Sequence, residues 1–227
     1  MRAIIFANGV LNNIQDVHDI ILPDDLIIAA DGGTTHCQAL GIKPSVVVGD
    51  LDSLNTDYLK SLQTSGTEII SYPINKDQTD LELAIRKALD LGCDEILVLG
   101  ALGARWDMTI ANLLLPAASE FSKVTIRLID GHQEVILLRG KGELTFKGKK
   151  GDILSLVPVG EDAEGVTLQG LEYPLEDDVL KFASTQGISN VLLEDTATVY
   201  LKKGLLLCIH TQVSHPLYAA KALRGRY

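Results

Sequence analysis

Six short apolar runs occupy the first 130 or so residues, with helix-like segments between them, and then the pattern stops. The runs are Arg2–Ala7, Leu26–Ala30, Val46–Gly49, Glu68–Tyr72, Glu95–Gly100 and Lys123–Asp130. Between them, Leu81, Ala84, Ile85, Ala88 and Leu89 recur at helical spacing, which predicts a helix over 80–91. A second helix is predicted over 107–119. Alternation of this kind predicts a parallel or mostly parallel sheet with helices on both faces. After Gly131 the texture changes to short β-like runs separated by Gly, Pro and Lys: 134–139, 143–147, 152–158, 191–193, 197–201 and 205–210. Lys202-Lys203-Gly204 reads as a hairpin turn between the last two. The expectation is therefore an N-terminal α/β domain over 1–132 and a C-terminal all-β sandwich over 133–227.

Bulk properties narrow the function. A formal net charge of -10 argues against a general nucleic-acid binder, which would carry a basic stripe. It is compatible with a phosphorylated small molecule, since a bound divalent cation can supply positive charge. No stretch approaches the length of a membrane span, and the N-terminus reads as a first strand rather than a leader. Cys37, Cys93 and Cys208 form no CxxC pair and read as small buried hydrophobes, so a cytoplasmic location is expected. The basic tail, Lys221 to Arg226, reads as a solvated end.

Four clusters rich in carboxylates and glycines follow strands of the first domain. They are Ala29-Ala30-Asp31-Gly32-Gly33, Gly49-Asp50-Leu51-Asp52-Ser53, Asn75-Lys76-Asp77-Gln78-Thr79-Asp80-Leu81-Glu82 and Gly100-Ala101-Leu102-Gly103-Ala104-Arg105-Trp106-Asp107. In an open α/β sheet the loops after the strands line the ligand crevice, so a parallel sheet brings all four to one edge. Each also has a plain reading: Asp77, Thr79 and Asp107 as helix caps, Arg105 as a surface ion-pair partner, and Asp31-Gly32-Gly33 as a turn. Four such strand ends in a row favour a site. If the backbone stays extended past the third strand, Asp50 and Asp52 point the same way and face one cation. Hard cations such as Mg²⁺ take carboxylate and phosphate oxygens. Arg105 suits bidentate phosphate contact, and Gly32, Gly33, Gly49, Gly100 and Gly103 let backbone N–H groups approach phosphates. The chemistry these groups suit is phosphoryl-type transfer, with no P-loop lysine motif present.

In order and approximate spacing these four motifs resemble the catalytic-domain motifs of the thiamine pyrophosphokinases. The similarity extends into the second domain, through Gly151-Asp152 to Pro158, Gly165 to Leu171, and Gly187-Ile188-Ser189-Asn190. The resemblance implies transfer of a pyrophosphoryl group from ATP to the hydroxyl of thiamine, giving thiamine diphosphate and AMP. It implies Asp31, Asp50, Asp52 and Asp80 as the catalytic carboxylates, with Asp50, Asp52 and Asp80 as Mg²⁺ ligands. It places Gln78, Thr79, Arg105 and Asp107 on the phosphates or thiamine, and Ser189 and Asn190 near thiamine. It also implies a homodimer whose active sites are shared between subunits. The chain departs from the family pattern at Trp106 and Met108, where Phe and His are common. Three other readings stay open: a pyrophosphokinase acting on a pterin alcohol, a metal-dependent phosphohydrolase, and a non-catalytic nucleotide-binding module. Asp52 and Asp80 are the two candidate proton acceptors.

Overall fold

The computed structural model describes residues 1–12, 17–52, 54–103 and 105–213. Ser53, Ala104 and the basic tail lie outside the described residues. The chain divides into two compact units, Met1–Gly131 and His132–Tyr227.

The first unit is built on six parallel strands: β1 (Arg2–Phe6), β2 (Leu26–Ala30), β3 (Val46–Gly49), β4 (Glu68–Ser71), β5 (Glu95–Leu99) and β6 (Thr125–Asp130). Their order across the sheet is β6-β5-β1-β2-β3-β4. Helices α1 (Val17–Ile20), α2 (Gly33–Ala39), α3 (Thr56–Thr64), α4 (Asp80–Asp90) and α5 (Trp106–Leu114) connect them. Alternate strand residues serve opposite faces. Ile4, Phe6, Ile27, Ala29, Val47, Leu97 and Leu99 pack with Val17, Cys37 and Leu62 of α1, α2 and α3. Helix α4 packs on β1, β2 and β3 through its own stripe of Leu81, Ala84, Ile85 and Ala88. Both faces are covered, which is why the central strands are apolar throughout.

The second unit is a sandwich of two antiparallel sheets. One has the order β12 (Asn190–Val191), β9 (Ile153–Pro158), β14 (Leu205–Thr211), β7 (Gln133–Arg139). The other has the order β11 (Asp178–Leu180), β10 (Ala163–Gln169), β13 (Thr196–Leu201), β8 (Gly142–Lys147). Leu138, Leu154, Leu156 and Leu206 from the first meet Phe146, Val166, Val199 and Leu201 from the second in one core.

Three expectations need correction. Lys202-Lys203-Gly204 is not a hairpin, because β13 and β14 lie in different sheets; the segment crosses from one to the other. It is held in that crossing by Glu164 N–H donating to Lys203 O and by Gly140 N–H donating to Gly204 O. Helix α5 ends at Leu114 and continues only as a 3₁₀ turn over Leu115–Ala117, since Pro116 cannot donate the next helical hydrogen bond. Strands β10 and β11 lie where no strand was expected. Gly165 interrupts β10 with φ +69° at a register shift between Glu164 and Val166, so the alternation is broken by a bulge.

Candidate active site

The strands β1 to β4 build outward in one direction, and β5 and β6 build in the other. The order of the strands therefore reverses between β1 and β5, and the ligand crevice is expected beyond their C-terminal ends, where the loops after the two strands stay paired. The structure has a cavity of about 300 Å³ at this position. Its walls come from Asn8 and Gly9 after β1, Asp31 after β2, and Gly100 and Gly103 after β5. Thr79 and Asp80 at the start of α4, and Arg105, Met108 and Asn112 around the start of α5, complete it.

The walls are fixed by backbone pairing that continues beyond the strands. Ala7 N–H donates to Leu99 O at 2.8 Å and Gly9 N–H to Gly100 O at 2.7 Å. His36 Nε2 lies 2.9 Å from Gly9 O and ties α2 to the same loop, so this histidine is structural. The buried Asn112 donates to Ala101 O at 2.7 Å and pins the loop after β5. The two glycines of the first motif answer to close approach. A Cβ on Gly33 would lie 1.9 Å from Phe6 O, and one on Gly32 would lie 2.0 Å from Asn8 Oδ1. Gly100 and Gly103 adopt φ +66° and +82°, which side chains disfavour, and a Cβ on Gly49 would touch Asp31 at 3.0 Å.

Strained backbone lies at one carboxylate position and between two others. Asp31 has φ +45° and Leu51 has φ +62°, both uncommon for residues with a Cβ. The turn at Leu51 overturns the extended-backbone argument for Asp50 and Asp52: β3 stops at Gly49, and Asp52 N–H donates to Asp50 Oδ1 at 3.3 Å within a tight turn. The acidic groups still converge electrostatically. Burial raises the Asp31 carboxyl above the usual range; its own Gly32 N–H opposes this, and the charges of Asp80, Asp50 and Asp52 add to the rise. Thr79, not Asp77 or Asp80, caps α4 by accepting the Glu82 N–H at 3.2 Å. That leaves the Asp80 carboxylate at the first helical position, facing the cavity.

Lys76, which sequence reasoning did not single out, stands among these acids. Its Nζ lies 3.0 Å from Asp80 Oδ1 and 3.8 Å from Asp50 Oδ2, with the side chain 11% exposed. Asn8 was likewise missed, although Asn8-Gly9 after the first strand is a fifth polar strand end; its amide lies 3.5 Å from Asp31 Oδ2. Among the described residues, no group of three or more acidic, His or Cys side chains is arranged to hold a metal as it stands. The donor chemistry nonetheless fits a hard cation: carboxylates crowd one another, and the buried Asp80 Oδ1 is met by a cation, the Lys76 ammonium, and makes no well-directed hydrogen bond.

The remaining expected residues divide. Arg105 and Asp107 are exposed and pair with each other, Nε to Oδ1 at 3.1 Å and a terminal guanidinium nitrogen to Oδ2 at 2.5 Å. Asp107 sits inside α5, where it accepts the Met108 N–H, and the helix N-cap is Arg105 without a side-chain bond. Gln78 and Asp107 do not line the cavity, whereas Met108 does. Ser189 and Asn190 belong to the second unit. Ser189 is exposed with φ +62°, its N–H donating to Ser155 Oγ at 3.0 Å. Asn190 is buried, and its amide is committed to backbone: it donates to Tyr173 O at 2.8 Å and accepts from Tyr173 N–H at 2.9 Å and Val191 N–H at 3.0 Å.

Comparison with known proteins agrees with this layout. Residues 17–128 match the family model described as thiamin pyrophosphokinase, catalytic domain, and residues 142–206 match thiamin pyrophosphokinase, vitamin B1 binding domain. The thiamine pyrophosphokinase of Bacillus subtilis is 33% identical over 91% of this chain and 97% of its own. Thiamine pyrophosphokinase 1 of Arabidopsis thaliana is 26% identical over 89% of this chain and 76% of its own. The crystal structure of the Bacillus subtilis protein superposes with a TM-score of 0.83 at 30% identity, over 93% of this chain and 99% of that one. The Geobacillus thermodenitrificans protein gives 0.81 at 26% identity, over 95% and 99%. The chain belongs to the thiamin pyrophosphokinase family.

Proposed function

We propose that this protein is a thiamine diphosphokinase, moving a pyrophosphoryl group from ATP to the primary hydroxyl of thiamine with release of AMP. The observation that carries this reading is the convergence of Asp31, Asp80 and Arg105 on one cavity at the reversal of strand order, in a chain of this family. The first unit receives ATP, and the second supplies the acceptor pocket.

The acceptor oxygen attacks the β-phosphorus; the bond from that phosphorus to the α,β-bridging oxygen breaks, and the electron pair leaves with AMP. Asp50, Asp52 and Asp80 would hold Mg²⁺, which neutralises polyphosphate charge when bound. Arg105 reaches phosphate oxygens once it is released from Asp107. Asp31 joins Asp52 and Asp80 as a candidate for the hydroxyl proton, because it lines the cavity without being one of the three carboxylates assigned to the cation. Positioning supplies the rest of the rate. Ser189 is the thiamine-side contact, while Asn190 holds the loop that carries it. Met108 places a thioether on the cavity wall, which favours a ring over a polar acceptor.

A homodimer is supported by α5. Trp106, Ile110 and Leu114 form a stripe at four-residue spacing and are 83%, 54% and 42% exposed. A second copy of the chain would cover it, and light scattering on the purified protein reads the mass directly.

The deciding experiment incubates the protein with ATP and Mg²⁺, with and without thiamine, and follows nucleotide products. AMP that depends on thiamine is expected. Phosphate or pyrophosphate release without thiamine would instead assign a hydrolase, and hydroxymethylpterin in place of thiamine tests the pterin reading.

A further inference from the structure

Lys76 is poorly placed for a surface ion pair and well placed to imitate a metal. It precedes α4, so its partnership with Asp80 is not a pairing along a helix face, although the two are four residues apart. Its ammonium sits between Asp80, the first residue of α4, and Asp50, in the loop after β3, and its stem is largely buried. Asp80 Oδ1 faces it without a well-directed hydrogen bond. An ammonium on a four-carbon stem is a compact charge that can swing away without backbone movement.

We propose that Lys76 is a tethered counter-ion that neutralises Asp50 and Asp80 in the metal-free protein and must leave both carboxylates when the divalent cation enters. It thereby competes with the metal. The inference rests on the reading of Asp50, Asp52 and Asp80 as the cation site. A purely structural ion pair predicts the opposite sign: losing Lys76 would let the carboxylates drift apart and weaken the site.

The test titrates Mn²⁺ into the full-length protein without nucleotide and follows free Mn²⁺ by its electron paramagnetic resonance signal. Wild type, K76M, K76Q, K76R and D50N are compared. K76M and K76Q, alike in charge and different in polarity, should both bind Mn²⁺ roughly tenfold tighter, the effect of removing one part-buried competing charge. K76R should stay within about twofold of wild type, and D50N should bind more weakly. The rise in melting temperature on adding Mg²⁺ should be larger in K76M than in wild type. If wild type binds Mn²⁺ and the neutral variants bind equally or more weakly, the counter-ion role is wrong while the cation site stands. If neither wild type nor any variant binds Mn²⁺, the cation site itself fails and the inference falls with it.

Discussion

Asn190 separates two views of the thiamine-side motif, and one substitution decides between them. The resemblance assigns Asn190 to thiamine, but its amide makes three hydrogen bonds to the backbone of Tyr173 and Val191 at 2.8–3.0 Å. It thus staples the Tyr173 segment to β12. Asn190→Ala leaves two N–H groups and one carbonyl without partners. Each unsatisfied group in a dry setting costs roughly 1–3 kcal/mol. Water reaches part of this edge, since the Tyr173 side chain is 64% exposed, so about 3 kcal/mol in total is the expected loss. For a chain of this length that lowers the melting temperature by about 6–12 °C. Asn190→Asp keeps the acceptor but turns a carboxylate oxygen toward Tyr173 O, and should lose more than half as much. The assay pairs thermal denaturation with the thiamine KM, measured well below the lower midpoint. On the stapling account, stability falls in both variants and the cold KM moves little. A variant as stable as wild type with thiamine KM raised tenfold would refute it and return Asn190 to direct contact.

Three further outcomes follow from the first unit. Asp50→Asn and Asp52→Asn should each lower turnover by on the order of 10²-fold, the scale of a lost electrostatic partner; near-normal kcat in both would remove them from the catalytic set. Gly33→Ala should cost about 2–3 kcal/mol in chemical denaturation, because a Cβ 1.9 Å from Phe6 O forces α2 away from β1. Its activity should fall further than its stability, since the same turn carries Asp31. At Asp25, burial alone would raise the carboxyl, but hydrogen bonds from Arg2 and the Leu22 N–H outweigh it and hold it below the usual range. That stabilisation is present above about pH 4 and is lost as pH falls through the lowered value. Asp25→Asn should therefore be less stable at neutral pH and lose less on acidification.

The sheet of the first unit was legible because each central strand is an apolar run ended by a polar or glycine residue. Helix α4 was legible because its apolar spacing is regular. Helix α2 was not: Gly33-Thr34-Thr35-His36-Cys37 contains weak helix formers and forms because its buried side packs against β1 and β2. The crossing at Lys202–Gly204 looked like a hairpin because local turn chemistry does not record which sheet each flanking strand joins. Parallel topology predicted one edge for all four clusters; residues of three of them, Asp31, Thr79-Asp80 and Gly100, Gly103 and Arg105, line one cavity, while Asp50 and Asp52 do not line it. The place of Lys76 was not legible, because a lysine in an acidic loop reads as solvated until burial shows otherwise.

The least predictable backbone in the chain coincides with its chemistry. Three of the six described non-glycine residues with positive φ, Asp31, Leu51 and Ser189, fall inside motifs assigned to substrate or metal. Each bends the chain just where a strand or its extension would otherwise continue, and each such conformation costs of order 1 kcal/mol or more. At Leu51 the bend replaces an alternating strand geometry with a turn, so Asp50 and Asp52 are arranged by an Asx-type hydrogen bond rather than by pleat. A glycine at Leu51 would relax the strain at no steric cost, yet it would also free the turn that fixes the two carboxylates relative to each other. At Asp31 the strained residue is itself the carboxylate, so a glycine there would relieve the strain and remove the acid. At Leu51 the strained residue lies between two carboxylates, and at Ser189 it precedes β12, so in each motif a sharp turn rather than a continued strand sets the direction of the polar side chains. A rule that reads periodicity fails at those turns for the same reason that the turns can present a site.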